Sequence, residues 1–181
     1  MPQVRVYLAC SLDGFIAGPE NDVSWLEGPH PGLPHRDPDA LTFDAFMAEV
    51  GCLLMGRTTH DVVASFGTWP YGETPTLVAT RRPLDPAAET VWAVSGTIDE
   101  VIAAAVRTAG ARDVYLDGGD LIRQALEADL VDEMILTYVP ILLARGTPLF
   151  GGLMTRRSLE FESHRSFGEG MFQVRARRRS T

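Results

Sequence analysis

Three short stretches of the sequence have the residue types needed to hold an anion. The first is Met55-Gly56-Arg57-Thr58-Thr59, where an apolar run meets the start of a helical pattern. A glycine there lets backbone approach a ligand, and a helix start offers unpaired N–H groups at the positive end of its dipole. Thr59 can add a hydroxyl and Arg57 a two-pronged guanidinium. The second is Asp117-Gly118-Gly119, again glycines between an apolar run and a helical pattern. The third is Thr80-Arg81-Arg82. Two adjacent arginines at the end of a strand suit a dianionic phosphate. Each stretch alone is ordinary turn chemistry, and an Arg-Arg pair alone is ordinary solvated surface. Their order gives them weight, because ligands of open α/β sheets bind at the carboxyl ends of successive strands.

Other chemistries lack their residues. There is no G-x-G-x-x-G, no Walker A sequence and no G-x-S-x-G elbow. His30, His35, His60 and His164 have no metal-ligand spacing, and His60, near a helix start, reads as packed or solvated rather than catalytic. Ser11 and Asp13 have no histidine partner that would make a hydrolase triad. The net charge of −8, with all sixteen basic residues arginine, opposes nucleic-acid binding. The cluster Arg175 to Arg179 reads as a solvated terminal strand and tail.

The elements that must position these turns follow from periodicity. Alternation predicts strands over 3–10, 51–55, 76–79, 91–94, 113–116 and 133–139, then an antiparallel pair over 159–165 and 171–177. Helical spacing predicts helices over 41–50, from Gly56 to about Ser65, from a Thr97–Glu100 capping box to Gly110, and from Gly119 to about Ala128. Residues 11–38, rich in Gly, Pro, Asp and His, read as one long functional loop. The expected fold is α/β: a mainly parallel twisted sheet with helices on both faces and antiparallel C-terminal edge strands, forming a single domain over 1–181. Cys10 and Cys52 sit in strand-like apolar runs and read as small buried hydrophobes. No apolar run spans a membrane and no secretory leader is evident, so a cytoplasmic location is expected.

Several stretches together resemble a known family. Tyr7-Leu8-Ala9, Ser11-Leu12-Asp13-Gly14-Phe15-Ile16-Ala17 and Trp25-Leu26 are similar to the start of the C-terminal reductase domain of bacterial deaminase–reductases. That domain is the riboflavin-pathway branch of the dihydrofolate reductase superfamily. Leu54 to Thr59 resembles its pyrophosphate turn, Val78 to Arg82 its 2′-phosphate strand end, and Leu116 to Gly119 its second phosphate turn. Pro140 to Leu143 and Gly146 to Phe150 resemble a late segment of its stand-alone members. Two departures stand out. The sequence has no zinc-deaminase H-x-E and P-C-x-x-C signature, and Asp117 replaces the first of three glycines common in dihydrofolate reductases.

The resemblance implies NADPH as cofactor, hydride transfer to a small heterocyclic substrate of pterin, pyrimidine or riboflavin-precursor type, and a homodimer. It implies Ala9 and Ile16 beside the nicotinamide. Gly56, Arg57, Thr59, Gly118 and Gly119 would hold the phosphates, and Thr80 and Arg81 the 2′-phosphate. Trp25, Thr42, Phe46 and Thr137 fall on the substrate side. The rival readings are a dihydrofolate reductase proper and a ligand-binding protein without turnover. A proton donor would separate them, and Asp13, Asp44 and Glu49 are the candidates. On a helix over 41–50, Thr42 stands at i−4 of Phe46, where dihydrofolate reductases carry the carboxylate that grips the pterin. Poor reduction of dihydrofolate is therefore expected.

Overall fold

The computed structural model describes residues 2–27 and 36–179. His30 and His35 lie outside them. In chain order the elements are β1 (Val4–Ser11), β2 (Phe15–Ala17), α1 (Phe43–Met47), β3 (Val50–Gly56), α2 (Arg57–Ala64), β4 (Thr76–Ala79), β5 (Val91–Val94), α3 (Ile98–Ala109), β6 (Asp113–Asp117), α4 (Gly119–Glu127), β7 (Glu133–Val139), β8 (Thr147–Pro148), β9 (Leu159–Gly168) and β10 (Met171–Arg178). Eight strands form one sheet in the order β5-β4-β3-β6-β1-β7-β10-β9. Neighbours from β5 to β7 are parallel, while β10 runs antiparallel to β7 and β9 to β10. β2 and β8 form a separate antiparallel pair.

Near-continuous apolar runs make the central strands, because both faces of the sheet are covered. Along β3, Cys52 and Leu54 point to the face carrying Ile102 and Ala105 of α3 and Ile122 and Ala125 of α4. Leu53 and Met55 point the other way, to Phe46 of α1 and the aromatic loop of Trp69 and Tyr71. Full burial of each such side chain contributes roughly 1.5–3 kcal/mol. Cys10 and Cys52 are both free and buried, and burial pushes each thiol up to about 12. α3 starts with the reciprocal Thr97–Glu100 capping box.

Two regions differ from expectation. The helix predicted over 41–50 spans only Phe43–Met47. Thr42 caps it by accepting from the Ala45 N–H at 3.1 Å, and Val50 already pairs with Asp113 in the sheet. The loop expected over 11–38 contains β2, a turn at Pro19–Asn21 in which Glu20 and Asn21 have positive φ, and a single 3₁₀ turn at Ser24–Leu26. The β2–β8 approach depends on Gly146: with φ +134°, a Cβ there would lie 2.0 Å from the Ala17 carbonyl oxygen.

Charge is concentrated at the amino ends of the central strands. The buried Arg5 guanidinium donates to Glu133 at 2.7 Å and Asp113 at 3.1 Å, pairs with Glu49, and lies over the Phe46 ring. Glu133, wholly enclosed, also takes Arg175 at 2.6 Å. Burial opposes the charge of Glu133. The hydrogen bond from Arg175 and the charge of Arg5 outweigh it and hold its pKa below the ordinary carboxylate value.

Candidate active site

A cleft of about 730 Å³ opens over the carboxyl ends of β1, β3 and β6. The chain reaches it at the first two turns singled out in the sequence. Gly56 ends β3 and is the N-cap of α2, and Gly118 is the N-cap of α4. Neither helix start is capped by a side chain, so backbone N–H groups of both first turns remain open to a ligand. The turns abut. A Cβ at Gly118, whose φ is +96°, would stand 2.6 Å from Thr59 Oγ1 and 3.4 Å from the Gly56 nitrogen. The pair thus makes one surface of backbone N–H groups and a hydroxyl at the positive ends of two helices, a geometry suited to a diphosphate.

Ala9 of β1 and Ile16 of β2 line the same cleft as Gly56, Arg57, Thr59, Gly118 and Gly119. Ile16 stands against the second turn: a Cβ at Gly119 would meet its Cδ1 at 2.9 Å. Arg57 donates from Nε to Asp61 and from Nη1 to the Pro83 carbonyl, both at 2.7 Å. It therefore straps the start of α2 to the third turn, and Asp61 is further held by His60 Nδ1 at 3.1 Å. In that third turn the Thr80 hydroxyl accepts from the Arg82 N–H at 3.1 Å. Ala79 lines the cleft, while Thr80 and Arg81 stand just past it, with the Arg81 side chain exposed.

The expected substrate-side residues are placed otherwise. Phe46 is fully buried, stacked on Tyr7 with centroids 4.8 Å apart and edge-on to Tyr115 at 5.1 Å. Phe43, one turn earlier on α1, lines the cleft in its place. Thr42 is a helix cap. The buried Thr137 hydroxyl accepts from Gln173 Nε2 at 3.3 Å, and that amide also clamps the Leu41 backbone. Trp25 is buried, with its ring nitrogen unpaired among the described residues. None of these four lines the cleft.

The candidate acids are also elsewhere. The Asp13 carboxylate accepts from the Ser11 hydroxyl at 2.6 Å and from the Leu143 and Ala144 N–H groups at 3.1 and 2.8 Å. Its pKa is lowered, first of all by the Ser11 hydroxyl, and it acts as a loop tie. Asp44 is exposed on α1, and Glu49 pairs with Arg5.

Of the two acids that line the cleft, Asp120 is exposed on α4, and the half-buried one is Asp117, which the sequence marked only as a missing glycine. Its carboxylate accepts the Gly118 N–H at 2.7 Å and shares the sheet face of Tyr115, whose hydroxyl donates to the Tyr7 carbonyl at 2.8 Å. Burial raises its pKa to about 6, with the Gly118 N–H and neighbouring Tyr115 pulling the other way. Arg123 is the other residue that sequence reasoning missed. It lies one turn after Gly119 on α4, donates to the Pro148 carbonyl at 3.0 Å and lines the cleft beside Gly119. Its i+4 spacing from Gly119 was the available signal.

A parallel sheet covered on both faces, with antiparallel C-terminal strands and a cleft at the strand ends, defines a fold of the dihydrofolate reductase type. The chain belongs to the RibD C-terminal domain family, whose model matches residues 2–173. A solved protein of Shewanella sp. PV-4, described as a riboflavin biosynthesis protein, superposes with a TM-score of 0.83 at 33% identity, covering 98% of this chain and 99% of that one. The uncharacterized protein YwjB of Bacillus subtilis (strain 168) is 25% identical over 92% of both chains. A diaminohydroxyphosphoribosylaminopyrimidine deaminase/5-amino-6-(5-phosphoribosylamino)uracil reductase of Thermotoga maritima shares the fold. Its TM-score is 0.71 at 15% identity, and this chain spans 57% of its length.

Proposed function

We propose that this protein is an NADPH-dependent reductase of a small pyrimidine-like heterocycle, working as one domain in the cytoplasm. The observation that carries the reading is the contact between two uncapped helix starts, Gly118 against Thr59 and Gly56, at one end of the cleft. The paired turns fit a dinucleotide diphosphate, because the missing side chain at Gly118 lets the Thr59 hydroxyl and the Gly56 backbone close up against it and gather both helix starts at one point. Gly56, Thr59, Gly118 and Gly119 would hold that diphosphate, with Arg57 and Arg123 beside it. Thr80 and Arg81 would face the 2′-phosphate, and Ala9 and Ile16 the nicotinamide.

Bound NADPH would supply the hydride, and the chain's residues do the rest. The Arg57 strap sets the 2′-phosphate turn relative to the diphosphate turn. Asp117, whose pKa burial raises to about 6, holds a proton at its carboxyl up to about that pH, which suits it to protonate the substrate nitrogen or carbon that hydride addition makes basic. The loop between β1 and α1 contributes Ala17, Asn21, Val23 and Leu26 to the cleft and would exclude water from the reacting centre. The free buried cysteines accord with a reducing compartment.

Calorimetric titration with NADPH and NADH tests the cofactor assignment. Wild-type protein should favour NADPH by about tenfold or more, and Arg81→Ala should remove that preference while sparing NADH, since a charge-assisted phosphate pair contributes roughly 1.5–3 kcal/mol. Equal wild-type affinities for the two would refute the assignment.

A further inference from the structure

The two ends of the cleft differ in chemistry. Four charged residues line it, Arg57, Asp117, Asp120 and Arg123. Its only cations among the described residues, Arg57 and Arg123, both flank the abutting helix starts. Each is committed: Arg57 to Asp61 and the Pro83 carbonyl, Arg123 to the Pro148 carbonyl and Asp120. The wall made by the end of α2 and the turn just past it is apolar. It consists of Val62, Val63 and Phe66, with Phe43 from α1 and Leu26 also in the lining. Phe66 lies just past the C-terminal end of α2, whose eight residues rise about 12 Å from Arg57. Arg57 is held at the start of α2 by Asp61 and the Pro83 carbonyl, and Arg123 by the Pro148 carbonyl, so neither guanidinium is directed at Phe66.

Phe66 and Leu26 are 58% and 43% exposed. Large apolar side chains gathered at a cleft mark a surface that a ligand covers. Residues 28–35, between Leu26 and α1, contain no lysine or arginine. Arg36, which follows them, is stacked over the Phe167 ring at 4.7 Å. A phosphate placed against Val62, Val63 and Phe66 would lose water and gain no arginine partner among the described residues, which is strongly unfavourable. An aromatic or aliphatic group in the same place would bury apolar area on both partners.

Resting on the reductase reading above, we infer that the substrate is a neutral, phosphate-free heterocycle carrying an apolar substituent, and that Phe66 selects it. The heterocyclic ring lies toward Asp117 and Tyr115, and the apolar group lies on Val62, Val63 and Phe66. This separates the chain from the Thermotoga maritima enzyme, whose name specifies a phosphoribosylamino substituent.

The test uses two aminouracils with the same ring, one bearing a benzylamino and the other a 5-phosphoribosylamino group at the same position. Each is titrated calorimetrically into protein with and without saturating NADPH. The benzylamino compound should bind at least tenfold more tightly. Phe66→Ala should weaken it by about tenfold, leave NADPH affinity unchanged, and leave the phosphoribosyl compound unaffected. Phe66→Arg should narrow or reverse the preference. Tighter binding of the phosphoribosyl compound, an unaffected Phe66→Ala, or no binding of either compound overturns the inference. The NADPH titration reads the reductase assignment separately. Loss of NADPH binding with Phe66-dependent benzylamino binding would reject that assignment and keep the apolar pocket.

Discussion

Gly118→Ala is the substitution whose cost can be worked most directly from the geometry. Gly118 has φ +96°, which non-glycine residues adopt at a cost of roughly 1–3 kcal/mol. The added methyl would also sit 2.6 Å from Thr59 Oγ1, so Thr59 must rotate its hydroxyl away from the diphosphate position. For a chain of this size the strain alone lowers Tm by about 2–12 °C. The methyl and the displaced hydroxyl together should weaken NADPH by at least about tenfold. Gly119→Ala is the control. Gly119 has no positive φ, and its new Cβ would press on the flexible ends of Ile16 at 2.9 Å and Arg123 at 3.0 Å, which can swing aside, and would make an ordinary contact with Thr147 at 3.5 Å. It should therefore cost under about 1 kcal/mol of stability and a few-fold in affinity. Urea denaturation and calorimetric titration of both variants decide the matter. A Gly118→Ala protein with wild-type stability and affinity, or a Gly119→Ala protein worse than it, would refute the joined-turn account.

Two further outcomes follow from the charge distribution. Glu133→Gln leaves Arg5 buried with one acid fewer, and should cost about 3 kcal/mol at pH 7 by chemical denaturation. Because Glu133 titrates below its ordinary value, its contribution is present at neutral pH and fades as the pH falls through that lowered pKa; the variant should lack this acid-side slope. Dihydrofolate should be reduced at a rate lower by on the order of a hundredfold than a good substrate, since α1 presents no carboxylate to the cleft: Thr42 is a cap and Asp44 is exposed. Brisk turnover with dihydrofolate, abolished in Asp44→Asn, would contradict this.

Strong local signals were legible in the sequence. β4, β5 and β7 fall where alternation puts them, and the Thr97–Glu100 capping box forms as read. The glycines at the ends of β3 and β6 could be found because strand-to-helix turns at one sheet end share a small set of residue types. What escaped depended on distant contacts. β2 and β8, three and two residues long, are too short to show a period and exist because they pair with each other. The partners of Asp13, Leu143 and Ala144, lie 130 and 131 residues away. On α1, the five-residue helix offers Phe43 and Phe46 as equivalent apolar positions; only packing against Tyr7 and Tyr115 sends Phe46 inward and leaves Phe43 at the cleft.

Asp117 is the clearest case of a residue whose meaning depends on its surroundings. Read along the chain it only weakens a glycine turn. In the fold, strand alternation sends its side chain to the face of Tyr115, where burial raises its pKa to about 6. The folded pKa lies above the unfolded one, so folding favours the protonated acid. Stability from this group is greatest at low pH and declines as the pH rises from about 4 to 6, with a penalty above that of up to about 3 kcal/mol. Asp117→Asn removes the ionisation, so it should be more stable than wild type at pH 8 and no more stable at pH 4. Catalysis depends on the same proton. If Asp117 donates to the reduced substrate, kcat falls as the pH rises through about 6, and NADPH binding does not fall in parallel. Asp117→Asn should lower kcat by about a hundredfold or more and erase that limb while leaving NADPH affinity equal or higher, because one anion near the diphosphate is gone. A pH–rate profile that keeps its limb near 6 in Asp117→Asn would assign the proton to another group, and an unchanged kcat would remove Asp117 from the chemistry.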